Sequence, residues 1–264
     1  MNELMTDITL FMREHTDREL TIEELANKYG YSKFHFSREF KKALGVSPNE
    51  YWAALKMEQS LTNLERSKSI LNAQLKTGYQ STGTFTTSFQ KATGFTPGQY
   101  QEEIQKLDIW NEAKKYEEKG GRIYTHYSFN KKDPLTFQKN TLTVKCNVPE
   151  GFKGLLFSGL FMKPIPNEAP MIGKATTKLG TKIVFDQIPD GEYYALACGI
   201  QSNANPLTYF LPKYWLCDLD RTPYVFPLEK PLEIELTVRE KRPTDPAITI
   251  NFIKLLVDSM RIKD

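Results

Sequence analysis

The chain has 264 residues, of which 40% are apolar and 12% aromatic, a composition too rich in core formers for a disordered chain and long enough for two domains. Net charge is only +3, so bulk charge does not argue for a polyanionic partner. No apolar run approaches the roughly 20 residues that span a bilayer, and Cys146, Cys198 and Cys217, widely spaced and without a CxxC pair, fit neither a disulfide framework nor a zinc site. The opening stretch, MNELMTDITLFMREH, carries acids where a secretory leader needs a basic start. A cytoplasmic protein is the expectation, and His15, after the first helix, suits a dipole-favoured C-terminal position.

Charge is unevenly spread. Residues 1–27 hold two basic side chains against seven acids, whereas residues 28–68 hold eight basic side chains against four acids. A local basic stretch of this kind points to one surface that faces a polyanion. The same region begins an internal repeat. LANKYGYSKFHFSREFKKALGVSPNEY (25–51) parallels AQLKTGYQSTGTFTTSFQKATGFTPGQY (73–100), with Gly30–Tyr31, Phe36, Phe40, Gly45, Pro48 and Tyr51 answered by Gly78–Tyr79, Phe85, Phe89, Gly94, Pro97 and Tyr100. Such a repeat predicts two like structural units joined by the helix NEYWAALKMEQSLTNLERS.

Each unit reads as helix, glycine turn, helix. In the first, EELANKY is a short helix stopped by Gly30, and Ser32 caps a second helix running to about Ala43. At 100° per residue, Phe36, Phe40 and Ala43 form the core face, with Leu44 at its edge. Phe34, Ser37, Arg38 and Lys41 fall on the opposite face. An aromatic ring, a hydroxyl and two cations on one exposed helix face match what a DNA major groove accepts: Arg38 to guanine O6 and N7, Ser37 to a base, Phe34 to a thymine methyl. Ser32, Lys33, His35, Lys41 and Lys42 suit the phosphates. The competing readings are a core position for Phe34, a surface ion pair of Arg38 with Glu39, and plain solvation of His35. In the second unit Gly83, Thr86, Thr87 and Gln90 replace the four outward residues, and only Lys91 keeps a charge. Thr86, Thr87 and Lys91 are therefore expected to touch phosphates rather than read bases.

These residues strongly resemble the AraC/XylS family of bacterial transcription regulators, whose doubled pattern LA…GxS…FK…GxSPxxY then GF…F…FK…G.TP..Y is present here over about residues 4–101. GYSKFHFSREFKKALG is particularly similar to the MarA–Rob branch. The resemblance implies base contacts from Phe34, Ser37 and Arg38, double-stranded DNA as partner, and control through RNA polymerase. Gly83 and Thr87 depart from the Gln and Arg types of that branch, and Gln74 stands where a small alanine is usual.

Beyond a double helix-turn-helix domain (1–106), residues 107–123 read as a charged helical extension ending in a Gly120–Gly121 hinge. From 124 to 264 the pattern becomes short alternating runs: LTVKC, GLLFSGLFM, EYYALACGI and LEIELTV, divided by turns rich in Pro and Gly. The expected fold class is thus all-α followed by an all-β antiparallel sandwich that folds on its own. VFDQIPDGEYYALA resembles the edge motif of transthyretin-like or carboxypeptidase-regulatory-like sandwiches. Tyr193, Tyr194, Tyr209 and Trp215 are candidates for lining a small-molecule pocket, and ordinary core packing is the alternative. A dimerisation or protein-interaction module is the other use of such a domain. With no GxSxG, HExxH or phosphate-binding glycine loop, and no motif partner for any histidine, no enzymatic activity, cofactor or metal is expected.

Overall fold

The computed structural model describes residues 3–18, 20–67, 76–79, 81–106, 122–124, 140–167, 169–178, 180, 182–186, 188–202 and 211–250. The described residues fall into two compact units. The first comprises Met1–Ile104 together with two short segments, Lys163–Asn167 and Arg242–Ile250. The second contains the remaining described residues.

The described residues of the first unit form α1 (Glu3–Glu14), α2 (Ile22–Lys28), α3 (Lys33–Leu44), α4 (Pro48–Ser67), α5 (Thr82–Thr93) and α6 (Pro97–Lys106). Local chemistry sets their ends. Thr21 and Glu24 form a reciprocal capping box at the start of α2. At its other end the Gly30 N–H donates to Asn27 O and the Tyr31 N–H to Ala26 O, a Schellman closure that places Gly30 at φ +74°. Ser47 with Glu50, and Thr96 with Gln99, repeat the capping box before α4 and α6. In both cases proline occupies the first helical position, where its missing N–H costs nothing. Met5, Ile8 and Met12 of α1, Ile22, Leu25 and Ala26 of α2, Phe36, Phe40 and Leu44 of α3, and Tyr51, Trp52 and Leu55 of α4 share one core. Ile165 and Ala247, from the two short segments, are buried in that same core.

The two segments are also held by charge. The Arg13 guanidinium donates to Glu58 Oε2 at 2.8 Å, to Pro243 O at 2.8 Å and to Asp245 O at 2.7 Å, while the Ile248 N–H donates to Glu58 Oε1 at 3.2 Å. Lys163 pairs with Glu50 at 3.0 Å, and Pro164 packs so close to Gly45 that a Cβ there would lie 2.5 Å from its Cγ. The hydrogen bond from Lys163 and the Ser47 N–H hold the Glu50 carboxyl down at about 2, against an ordinary 4.5. A depressed carboxyl stabilises the fold above its ordinary value and loses that contribution as pH falls from about 4.5 towards 2. Both side chains are about 40% exposed, so screening keeps the effect below about 1 kcal/mol. Glu50→Gln should accordingly be less stable than wild type in urea near pH 6, with the gap narrowing below about pH 4.5 and closing near pH 2. A gap of unchanged size at the lower pH would show that the ion pair contributes nothing.

Among the described residues of the second unit, ten strands form two sheets: β1 (Arg122–Tyr124), β2 (Leu142–Asn147), β3 (Gly154–Phe161), β4 (Ile172–Thr176), β5 (Lys182–Phe185), β6 (Gly191–Gln201), β7 (Leu216–Leu219), β8 (Tyr224–Phe226), β9 (Leu232–Thr237) and β10 (Arg239–Glu240). The seven-stranded sheet runs β1-β4-β3-β6-β7-β10 with β8 also on β6, and the three-stranded sheet runs β5-β2-β9. Residues 107–121, with the expected helical extension and Gly120–Gly121, lie outside the described residues, and β1 starts two residues before the expected boundary at 124. The four strands foreseen from alternation are β2, β3, β6 and β9.

Two features depart from the expected antiparallel, one-face-buried pattern. First, β2 and β9 pair in parallel, Leu142 opposite Leu232 through Asn147 opposite Thr237. Second, β3 is buried along its whole length. One face of the larger sheet, with Leu156, Leu160, Ala195 and Ala197, shares a core with Leu142, Val144, Ile183, Phe185 and Leu236 of the smaller sheet. The opposite face, with Leu155, Phe157, Phe161, Leu196 and Ile200, is buried as well. GLLFSGLF is a continuous apolar run rather than an alternating one, as a strand covered on both faces requires. Within VFDQIPDGEYYALA, β5 and β6 belong to different sheets. The buried Asn140 amide ties down the turn between them by donating to Ile188 O at 3.2 Å. Among the described residues no helix is long and apolar enough to cross a membrane, and no cluster of side chains is suited to hold a metal.

Candidate nucleic-acid interface

Helix α3 begins at Ser32, whose hydroxyl accepts from the His35 N–H at 3.4 Å, and ends at Gly45, whose N–H donates to Lys41 O. Phe36 and Phe40 point inward and pack in series with Tyr51 of α4, tilted and then edge-to-face, at centroid distances of 5.7 and 5.5 Å. That series fixes the rotation of α3 and so decides which side chains face out. Phe34 is 87% exposed, which removes the core reading for it. Ser32, Lys33, His35, Arg38, Lys41 and Lys42 are all exposed, and Ser37 is half-buried at the edge. The inward face needs one correction: Ala43 is exposed and Leu44 is buried. The core stripe follows Phe36, Phe40 and Leu44 at steps of four, so the last turn closes on 44 rather than 43.

Arg38 reaches two neighbours on its own helix. Its Nη2 donates to His35 Nδ1 at 3.1 Å, and its Nε lies 3.9 Å from a Glu39 carboxylate oxygen. The second contact is the surface pair raised as a competitor. At that length, with the Arg38 side chain 74% exposed, it is a weak tether that a base or phosphate could displace. His35 in turn stacks on Tyr31 at 5.0 Å.

The second unit reproduces the frame and not the surface. Ser81 caps α5 by accepting from the Thr84 N–H at 3.1 Å, and Gly94 closes it at φ +75°. Phe85, Phe89 and Tyr100 repeat the ring series at 5.7 and 5.3 Å. Outward, however, stand Gly83, Thr87 and Gln90, with Thr86 half-buried and Lys91 exposed at the C-terminal end. Residues 68–75, which include Gln74 and the expected partner helix of this unit, lie outside the described residues.

The pocket candidates do not converge. Tyr193 and Tyr194 are successive residues of β6 and leave it on opposite faces. Tyr193 belongs to the core between the sheets, packed on Phe226 at 5.9 Å, whereas the Tyr194 hydroxyl bonds the exposed Glu192. Trp215 is buried, and Tyr209 lies outside the described residues. All three cysteines are buried, and burial pushes the Cys198 thiol well up. The capping boxes are the positioning residues that periodicity alone overlooks. Their signal, Ser or Thr, then Pro, one residue, then Glu or Gln, stands in the chain at Ser47–Glu50 and Thr96–Gln99.

Residues 25–103 match a family model described as a helix-turn-helix domain. The chain is 32% identical over 99 residues to the transposon Tn10 TetD protein of Escherichia coli, covering 37% of this chain and 72% of that protein. It is 33% identical over 102 residues to the probable transcription factor PqrA of Proteus vulgaris, covering 38% of this chain and 84% of that one. With the right origin-binding protein of Escherichia coli strain K12 the identity is 31% over 99 residues, 37% of this chain and only 34% of that protein.

Proposed function

The chain belongs to the AraC/XylS family of DNA-binding transcription regulators, near its MarA–Rob branch, and we propose that it reads DNA sequence mainly through α3. The observation that carries this reading is the outward face of that helix, where Phe34 and Arg38 stand exposed with Ser37 half-buried at their edge, on a rotation locked by buried Phe36 and Phe40. Phe34, Ser37 and Arg38 address base edges, and Ser32, Lys33, Lys41 and Lys42 address phosphates. Thr86, Thr87 and Lys91 of the second unit add sequence-tolerant backbone contacts. RNA polymerase is the partner that family membership suggests.

For the sheet-rich region we adopt a sandwich in which the two sheets share the apolar layer already described, and a role in modulating DNA binding. A small-molecule effector and a protein partner are its two candidate inputs. The opposite directions of Tyr193 and Tyr194 weigh against the aromatic pocket. Selection of binding sites from a random duplex library by the full chain tests the central reading. The expected product is one enriched block of a few base pairs containing a guanine. A library that emerges without sequence preference would refute it.

A further inference from the structure

Resting on the reading of Arg38 as a base contact, we infer that His35 is a positioning residue that holds the Arg38 guanidinium in its reading orientation. An arginine on an exposed helix face samples many rotamers, and docking it onto one base edge forfeits that freedom. A partner that fixes one edge beforehand lowers the cost. Here Arg38 Nη2 donates to His35 Nδ1 at 3.1 Å, one turn earlier on the same face. A guanidinium has no lone pair to offer, so Nδ1 must be the acceptor and the neutral ring carries its proton on Nε2. The ring stacks on Tyr31 at 5.0 Å and 26°, and the backbone N–H of the same residue donates to the Ser32 cap. Tyr31 fixes His35, His35 takes one Nη2 hydrogen, and Nη1 with the second Nη2 hydrogen is left for a bidentate contact. The second unit supports the assignment by contrast. Thr84 occupies the position of His35 and receives the Ser81 hydroxyl at 2.8 Å, and Thr87 stands where the cation would be. The buttress occurs only where there is an arginine to hold.

A double-mutant cycle on the full chain, with the selected operator and a duplex changed at the guanine, tests this. His35→Phe keeps an aromatic ring on Tyr31 and removes the acceptor, while His35→Asn places a carbonyl oxygen near the lost Nδ1. His35→Phe should weaken operator binding about three- to tenfold, the worth of one hydrogen bond, and leave binding to the changed duplex unaltered. His35→Asn should restore most of the loss. In an Arg38→Ala background His35→Phe should cost nothing further. If the loss persists in that background, His35 is a phosphate contact and the inference is overturned. Failure of His35→Asn to rescue overturns it too. Should Arg38→Ala alone leave the operator affinity unchanged, the base contact itself falls, and that outcome is distinct from the absence of coupling.

Discussion

Arg13→Ala is expected to destabilise the helical unit by about 3 kcal/mol, the low end of what breaking a buried ion pair costs. Burial opposes the charge on Arg13, but Glu58 and Tyr51 outweigh it, and its pKa lies above the ordinary value. The guanidinium spends its donors on Glu58 and on the carbonyls of Pro243 and Asp245. Alanine would leave Glu58, whose side chain is 10% exposed, without its cation. The Arg13 side chain is 26% exposed, so water can enter the gap, and this sets the figure at the low end. Glu58→Gln keeps one acceptor oxygen, for Arg13 or for the Ile248 N–H but not for both, and should also destabilise the unit. Urea unfolding followed by tryptophan fluorescence reads the stability, and hydrogen exchange at the Ile248 amide reads the local attachment. A variant that unfolds at the wild-type urea concentration with an unchanged Ile248 amide would remove the clasp from the account. The prediction also bears on fragments. Since Ile165 and Ala247 complete the core of the helical unit, a chain cut after residue 106 should be less stable than the same unit in the full chain.

What the sequence made legible depended on distance along the chain. The doubled helix-turn-helix could be read because Gly30, Phe36, Phe40, Gly45 and Tyr51 lie within one short stretch and recur 48 or 49 residues later. Rotation of α3 followed from counting 100° steps, and the miss at Ala43 and Leu44 arose in the last turn, where a small phase error changes the face. The clasp could not be read. Arg13 sits among acids like any surface arginine, and two of its acceptors are backbone carbonyls more than two hundred residues away. The parallel pairing of β2 with β9 is hidden for the same reason, since ninety residues separate the partners. β5, β7, β8 and β10 are too short to show a period. The two-sided burial of β3 departs from the alternation expected of GLLFSGLFM, a run whose only polar side chain before Met162 is Ser158.

Reading by the two units is expected to be unequal, and the inequality should be reversible. Arg38→Ala should cost about 1–3 kcal/mol on the operator and relax preference at one position. Thr87→Ala should cost well under 1 kcal/mol, and equally on operator and random DNA, because a threonine hydroxyl at a phosphate carries no base information. Two such helices on one domain address groove segments about one helical turn, roughly 34 Å, apart. Wild type should therefore select one strong block, with at most a weak preference about ten base pairs away that reflects groove shape. The frame of the second helix is already that of the first: the same serine cap, the same left-handed glycine, the same buried ring series. Only the outward side chains differ. A Cβ on Gly83 would meet nothing within 4 Å, so a side chain can leave the exposed backbone there without a clash at its root. The double substitution Gly83→Phe with Thr87→Arg gives α5 the outward aromatic and cation of α3. It should create a second informative block about ten base pairs from the first and tighten binding to a site that contains both by about 1–3 kcal/mol. Two equally informative blocks already in wild type would mean that Thr86, Thr87 and Gln90 read bases directly. No second block in the double variant would mean that α5 does not enter the groove at all.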